Sequence, residues 1–93
     1  MIVGFASRET EKIFHRHFSR KLPHNIQQRA FMKLNALDAA TRLDDLRLPP
    51  SNGLEALSGD RRGRHSIRIN DQWRICFRWT AAGPEGVEIV DYH

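Results

Sequence analysis

Polar and apolar residues alternate most regularly in two runs, residues 64–70 and 73–80, where Ile67, Ile69, Trp73, Ile75, Phe77 and Trp79 recur at every second position. Period two is the signature of a strand with one buried face, and the short Asp71-Gln72 connection predicts a hairpin. Ser66, Arg68, Arg74, Cys76 and Arg78 occupy the other parity and are expected on the face turned away from the helices. Gly83-Pro84-Glu85-Gly86 is expected to turn the chain into a last strand running from Val87 to Tyr92, which completes a C-terminal meander.

Upstream the period lengthens. Ile2-Val3-Gly4-Phe5 predicts a first strand, and Ser7 then serves as N-cap of a helix whose positive end is complemented by Glu9 and Glu11. This helix is expected to reach about Phe18, with Ile13, Phe14 and Phe18 on one face and His17 at its edge. Pro23 separates it from a second helix carrying Ile26, Ala30, Leu34 and Leu37 at helical spacing, with Phe31 beside them. Two amphipathic helices can cover one side of the sheet, an α+β arrangement. Between Ala39 and Gly63 the periodicity weakens around the turn signal Pro49-Pro50-Ser51-Asn52-Gly53. The leucines at 43, 46, 48, 54 and 57 predict that this long connection packs onto the body.

Ninety-three residues allow one domain, residues 1–93, with a modest core. With 40% hydrophobic residues and mixed charges the chain is expected to fold. No apolar run has membrane-spanning length, Met1 to Phe5 is too short for a signal peptide, and the expected address is cytoplasmic without a membrane partner. The one cysteine, Cys76, is expected to be a buried small hydrophobe rather than a nucleophile. His15 and His17 lie two apart on a helix and so on different faces, while His24 and His65 are isolated. Neither a metal site nor a cofactor is therefore expected.

Charge adds a partner to this picture. The net charge is +4 and arginine dominates, lysine occurring only at 12, 21 and 33. Planar guanidinium groups suit bidentate phosphate contacts and base stacking. Arg61, Arg62, Arg64, Arg68, Arg74 and Arg78 face a single acid, Asp71, within their stretch, so the basic segment is local and leads into the ending Asp91-Tyr92-His93. Arg61, Arg62, Arg64 and Arg68 fit RNA contacts or, alternatively, a solvated basic surface.

The ending carries chemistry of its own. Metal-free RNA cleavage needs a base for the 2′-hydroxyl, a cation for the phosphorane and an acid for the 5′-oxygen. Arg74 can clamp a phosphate or be a solvated strand arginine. His93 titrates near neutrality and can serve as acid or base, or lie frayed. Asp91 can accept the 2′-hydroxyl proton, orient His93, or pair with an arginine. Tyr92 can stack on a base or close the core edge. Tyr92 has the opposite parity from Asp91 and His93, so the three converge on one ligand only if the strand end twists.

Leu54-Glu55-Ala56-Leu57-Ser58-Gly59-Asp60-Arg61, Ser66-Ile67-Arg68-Ile69-Asn70, Trp73-Arg74-Ile75-Cys76-Phe77 and Asp91-Tyr92-His93 closely resemble the HigB branch of the RelE-like toxins. The likeness covers essentially the whole chain. It implies a RelE-type fold, an N-terminal strand and two helices on an antiparallel sheet. It also implies a ribosome-dependent endoribonuclease that cuts messenger RNA in the ribosomal A site without a metal. The catalytic set would be Arg74, Asp91, Tyr92, His93 and Glu55, the last ranked below Asp91 and His93. HigB relatives can carry a histidine in the loop where this chain has Glu55, so a carboxylate would stand for an imidazole. The implied partners are a HigA-like helix-turn-helix antitoxin, the ribosome with its message, and operator DNA contacted through the antitoxin. A non-catalytic RNA- or partner-binding regulatory module is the alternative that the arginines and small size also fit.

Overall fold

The alternating runs form antiparallel strands that share one sheet, ordered β1-β2-β3-β4. A computed structural model describes residues 1–92, placing α1 at Arg8–Phe14, α2 at His24–Ala39, β1 at Glu55–Ala56, β2 at His65–Arg68, β3 at Trp73–Thr80 and β4 at Gly83–Asp91. No described helix is long and apolar enough to cross a membrane.

The β2–β3 hairpin closes on the Arg68↔Arg74 pair, so its loop is longer than the two residues expected. Asn70 sets that loop: its Oδ1 accepts from the backbone N–H groups of Gln72 at 2.9 Å and Trp73 at 2.8 Å, a side-chain turn for which asparagine is suited. Ile67, Ile75 and Phe77 are fully buried, and Ile69 nearly so, with Ile13 of α1 and Ile26, Ala30, Leu34 and Leu37 of α2. The expected helix face of the sheet is therefore the core. Its opposite face is not simply solvated, because Ser66 and Cys76 are also buried. The connection before β2 joins the edge of the sheet as β1, and from the segment after it Arg61 Nη1 reaches this face, 3.7 Å from Cys76 Sγ. Burial raises the Cys76 thiol above its ordinary pKa, as suits a packed hydrophobe.

The second turn differs from expectation. Gly83-Pro84-Glu85-Gly86 lies inside β4, and the reversal is made by Ala81 and Ala82. Thr80 Oγ1 fixes it by donating to the Gly83 carbonyl at 2.7 Å and accepting from the Ala82 N–H at 3.1 Å. Gly83, at φ +127, also leaves room for the N-terminal arm, since a Cβ there would collide with the Met1 carbonyl. The strand expected at residues 2–5 is reduced to one parallel bridge, Phe5↔Val87. Val3 N–H donates to the Pro84 carbonyl at 2.7 Å and Ala6 N–H to that of Val87 at 2.9 Å.

Ser7 caps α1, its side chain accepting from Thr10 N–H. The helix ends at Phe14, short of Phe18, because Arg16 adopts φ +65 and the His17 N–H turns back to the Lys12 carbonyl at 2.7 Å. Buried Ser19 then takes the chain inward, donating to Glu9 Oε1 at 2.6 Å, while Phe18 is left 57% exposed instead of joining the core. Buried Thr10 ties α1 to the far end of the sequence: its Oγ1 accepts from the Ile89 N–H at 2.9 Å. Along the 39–63 connection Leu46 is buried, Leu43 and Leu54 pack on the core and Leu57 is half-buried. Leu48 departs from the expected packing and is 72% exposed. Buried Asn52 pins this segment, donating through Nδ2 to the Leu46 and Leu48 carbonyls, each at 3.2 Å.

Candidate active site

Strand register decides which of the chemistry-bearing side chains meet. Arg74 pairs with Val90 across β3 and β4, and Tyr92 lies two residues beyond Val90, hence on the face that carries Arg74, Ser66 and Cys76. The Arg74 guanidinium stands 5.4 Å from the centre of the Tyr92 ring, a cation–π contact. Glu55, from β1, completes the group: the Tyr92 hydroxyl donates to its Oε1 at 2.8 Å. That hydrogen bond and the neighbouring carboxylate charge raise the Tyr92 pKa, so the phenol holds its proton.

Arg74 is fixed before any ligand arrives. Its Nε donates to Ser66 Oγ at 2.8 Å and its Nη2 to the Gly53 carbonyl. Gly53 adopts φ +52, a left-handed conformation that the Asn52-Gly53 turn supplies cheaply, and this aims its carbonyl at the guanidinium. Among the described residues Nη1 has no hydrogen-bond partner.

An open cleft of about 430 Å³ lies beside this group, lined by Glu55, Ala56, Leu57, Ser58, Arg61, Asp91 and Tyr92. Asp91, the partner of Trp73 at the end of β4, has the opposite parity from Tyr92 but still reaches the cleft wall, and its Oδ2 accepts from Gln72 Nε2 at 3.2 Å. Asp91 and Tyr92 thus border one space without forming a flat constellation. His93 lies outside the described residues. Sequence reasoning missed Ser66 and Gly53 as the supports of Arg74. Only the turn signal at Pro49–Gly53 hinted at the second, because which strand position a loop carbonyl will face is a tertiary outcome.

The four loop and hairpin arginines have separate fates. Arg61 is exposed at the cleft and Arg62 is exposed beside it. Arg64 turns inward, donating to the Gly86 carbonyl at 2.7 Å and lying 3.9 Å from Glu88. Arg68 pairs with Asp71 on the hairpin loop. Among the described residues no group of three His, Cys, Asp or Glu side chains could hold a metal ion.

Two helices on one face of a four-stranded antiparallel sheet, with the arginine, carboxylate and phenol on the other, define a small toxin of RelE-like fold. Residues 4–93 match the family described as the RelE-like toxin of the type II toxin–antitoxin system HigB, and the chain belongs to that HigB-like toxin family. It is 42% identical over 73 residues to "Toxin HigB-1" of Vibrio cholerae serotype O1, covering 78% of this chain and 73% of that one. It is 29% identical over 93 residues to "Endoribonuclease HigB" of Proteus vulgaris, with both chains covered in full. A protein of Haemophilus influenzae is 36% identical over 59 residues, 63% of this chain and 58% of its own. As a type II toxin, the chain has an antitoxin partner.

Proposed function

We propose that this toxin is a ribosome-dependent, metal-independent endoribonuclease that cuts messenger RNA in the ribosomal A site and so stops translation. The observation that carries the reading is the contact set of Arg74, Tyr92 and Glu55 on one sheet face, and the name of the Proteus vulgaris relative supports its chemistry. A HigA-like helix-turn-helix antitoxin holds the toxin inactive and carries the complex to operator DNA.

In this reading the scissile phosphate sits against Arg74, whose orientation is set in advance by Ser66 and Gly53, so that no reorganisation is needed as charge builds on the phosphorane. Glu55 rises above the rank that sequence gave it. With Oε1 held by Tyr92, its Oε2 takes the 2′-hydroxyl proton. The 2′-oxygen attacks phosphorus and the bond to the 5′-oxygen breaks, leaving a 2′,3′-cyclic phosphate. His93 gives the 5′-oxygen its proton, and Asp91 positions His93. Tyr92 holds the carboxylate and offers its ring to a codon base. Arg61, Arg62, Arg64 and Arg68 contribute the charge that binds ribosomal RNA, Arg64 chiefly through the field of its half-buried guanidinium.

The deciding experiment incubates the purified toxin with programmed ribosomes. Wild type cuts the message in the A site and leaves free RNA almost untouched, whereas Arg74→Ala binds the ribosome and cuts at least about 100-fold more slowly. Intact message under bound, folded wild type overturns the reading and favours a binding module instead.

A further inference from the structure

Outside the cleft lining lies a second concentration of positive charge, of which the reading above uses only Arg68. Arg29 and Lys33 stand one helical turn apart on α2 and share a face. Arg29 Nη1 reaches the hairpin loop, 3.4 Å from the Ile69 carbonyl, and Lys33 Nζ donates to Asn52 Oδ1. Arg68 closes the group from β2. Lys33 is half-buried, and burial together with the charges of Arg29 and Arg68 lowers its ammonium below the ordinary lysine range. Among the described residues neither Arg29 nor Lys33 has a carboxylate within 4.0 Å, and the acid paired with Arg68, Asp71, is 96% exposed. Three cations are thus held together against their mutual repulsion with one solvated counter-charge, an arrangement that costs stability in the free protein and is relieved by an anion.

The group is contiguous with Arg74. Arg68 and Arg74 face each other directly across β2 and β3, on the same side of the sheet. Gly53 fills the space between them: a Cβ built on it would lie 3.8 Å from Arg68 Cβ and 3.6 Å from Arg74 Nη2. The next residue back, Asn52, is the one that Lys33 holds. A line of cations therefore runs from Arg74 through Arg68 to Lys33 and Arg29.

We propose that Arg29, Lys33 and Arg68 form a phosphate-binding track that takes the RNA backbone leading away from Arg74. It rests on RNA being the ligand of the Arg74 site, but not on cleavage. The shared chemistry is a run of phosphodiesters, supplied either by the message beside the codon or by ribosomal RNA near the A site.

An Arg29→Gln/Lys33→Gln double variant tests this by equilibrium binding, over a salt series, to a single-stranded oligonucleotide with a 2′-deoxy linkage and to ribosomes without message. Thermal melting and antitoxin binding serve as the check on fold. Losing two phosphate contacts should weaken affinity about three- to tenfold at moderate salt and flatten the salt slope by about 1.4. Loss toward the oligonucleotide assigns the track to the message, and loss toward empty ribosomes alone assigns it to ribosomal RNA. Unchanged affinity and slope for both overturn the track, as does a loss confined to the antitoxin. Wild type that binds RNA without cutting it defeats the nuclease reading and leaves the track standing.

Discussion

The Tyr92 hydroxyl donates to Glu55 Oε1 at 2.8 Å, joining the end of the sheet to a two-residue strand 37 positions earlier. Because Tyr92 is the only tyrosine in the chain, its ionisation can be followed directly by tyrosinate absorbance. The bond favours the neutral phenol, so the folded-state midpoint should lie above the ordinary value of about 10 and fall back toward it in Glu55→Gln. The sign follows. A raised folded pKa gives a contribution that is complete below the unfolded pKa and lost as pH climbs through the folded one. Tyr92 therefore does not titrate near neutrality. Equal midpoints in wild type and Glu55→Gln would show that the carboxylate does not govern the phenol.

Arg74→Lys should behave nearly as badly as Arg74→Ala. One ammonium cannot reproduce the fork that engages Ser66 and the Gly53 carbonyl together while leaving Nη1 for a ligand. We expect less than tenfold recovery of cleavage over Arg74→Ala on programmed ribosomes. Recovery to near wild-type rate would mean that point charge suffices and that the preset orientation is irrelevant.

Thr10→Val tests the fold without touching the cleft. Valine matches the shape of threonine but removes the acceptor of the Ile89 N–H, leaving a buried donor unpaired at a cost of about 1–3 kcal/mol. Urea denaturation should show a lower midpoint at unchanged slope, and Thr10→Ser should restore most of the loss.

Deleting Asp91-Tyr92-His93 should abolish growth inhibition and preserve antitoxin binding. Among the described residues the deletion removes one strand pair, Trp73↔Asp91, together with the Tyr92 side chain that meets Arg74 and Glu55. Undiminished growth arrest by the shortened chain would place the reaction elsewhere.

Much of the architecture was legible because it is written in local periodicity. The hairpin faces followed from Ile67, Ile75 and Phe77, and α2 from Ile26, Ala30, Leu34 and Leu37. What escaped depends on satisfaction of polar groups at a distance. Phe18 lost its place in the core when Ser19 found Glu9, and the Gly83–Gly86 turn yielded to one set by Thr80. Cys76 is buried as its residue type led one to expect, but the burial of Ser66 could not be inferred from alternation, which says only that a side chain is on the second face, not what covers it. Parity did separate Tyr92 from Asp91, and register then put Tyr92 with Arg74. Glu55 was underrated because a lone carboxylate in a loop carries no sequence signal of the phenol it will meet.

The Thr10–Ile89 bond also fixes when the toxin can exist during synthesis. Helix α1 is made first and β4 last, yet each supplies a hydrogen-bonding group the other needs. A chain still being synthesised and lacking β4 has an open sheet edge at β3, a first helix packed on α2 alone and no Tyr92 beside Arg74. On the proposed function, completing the sheet and assembling the Arg74, Tyr92 and Glu55 group are therefore one event, and a chain that stops short of β4 lacks the site.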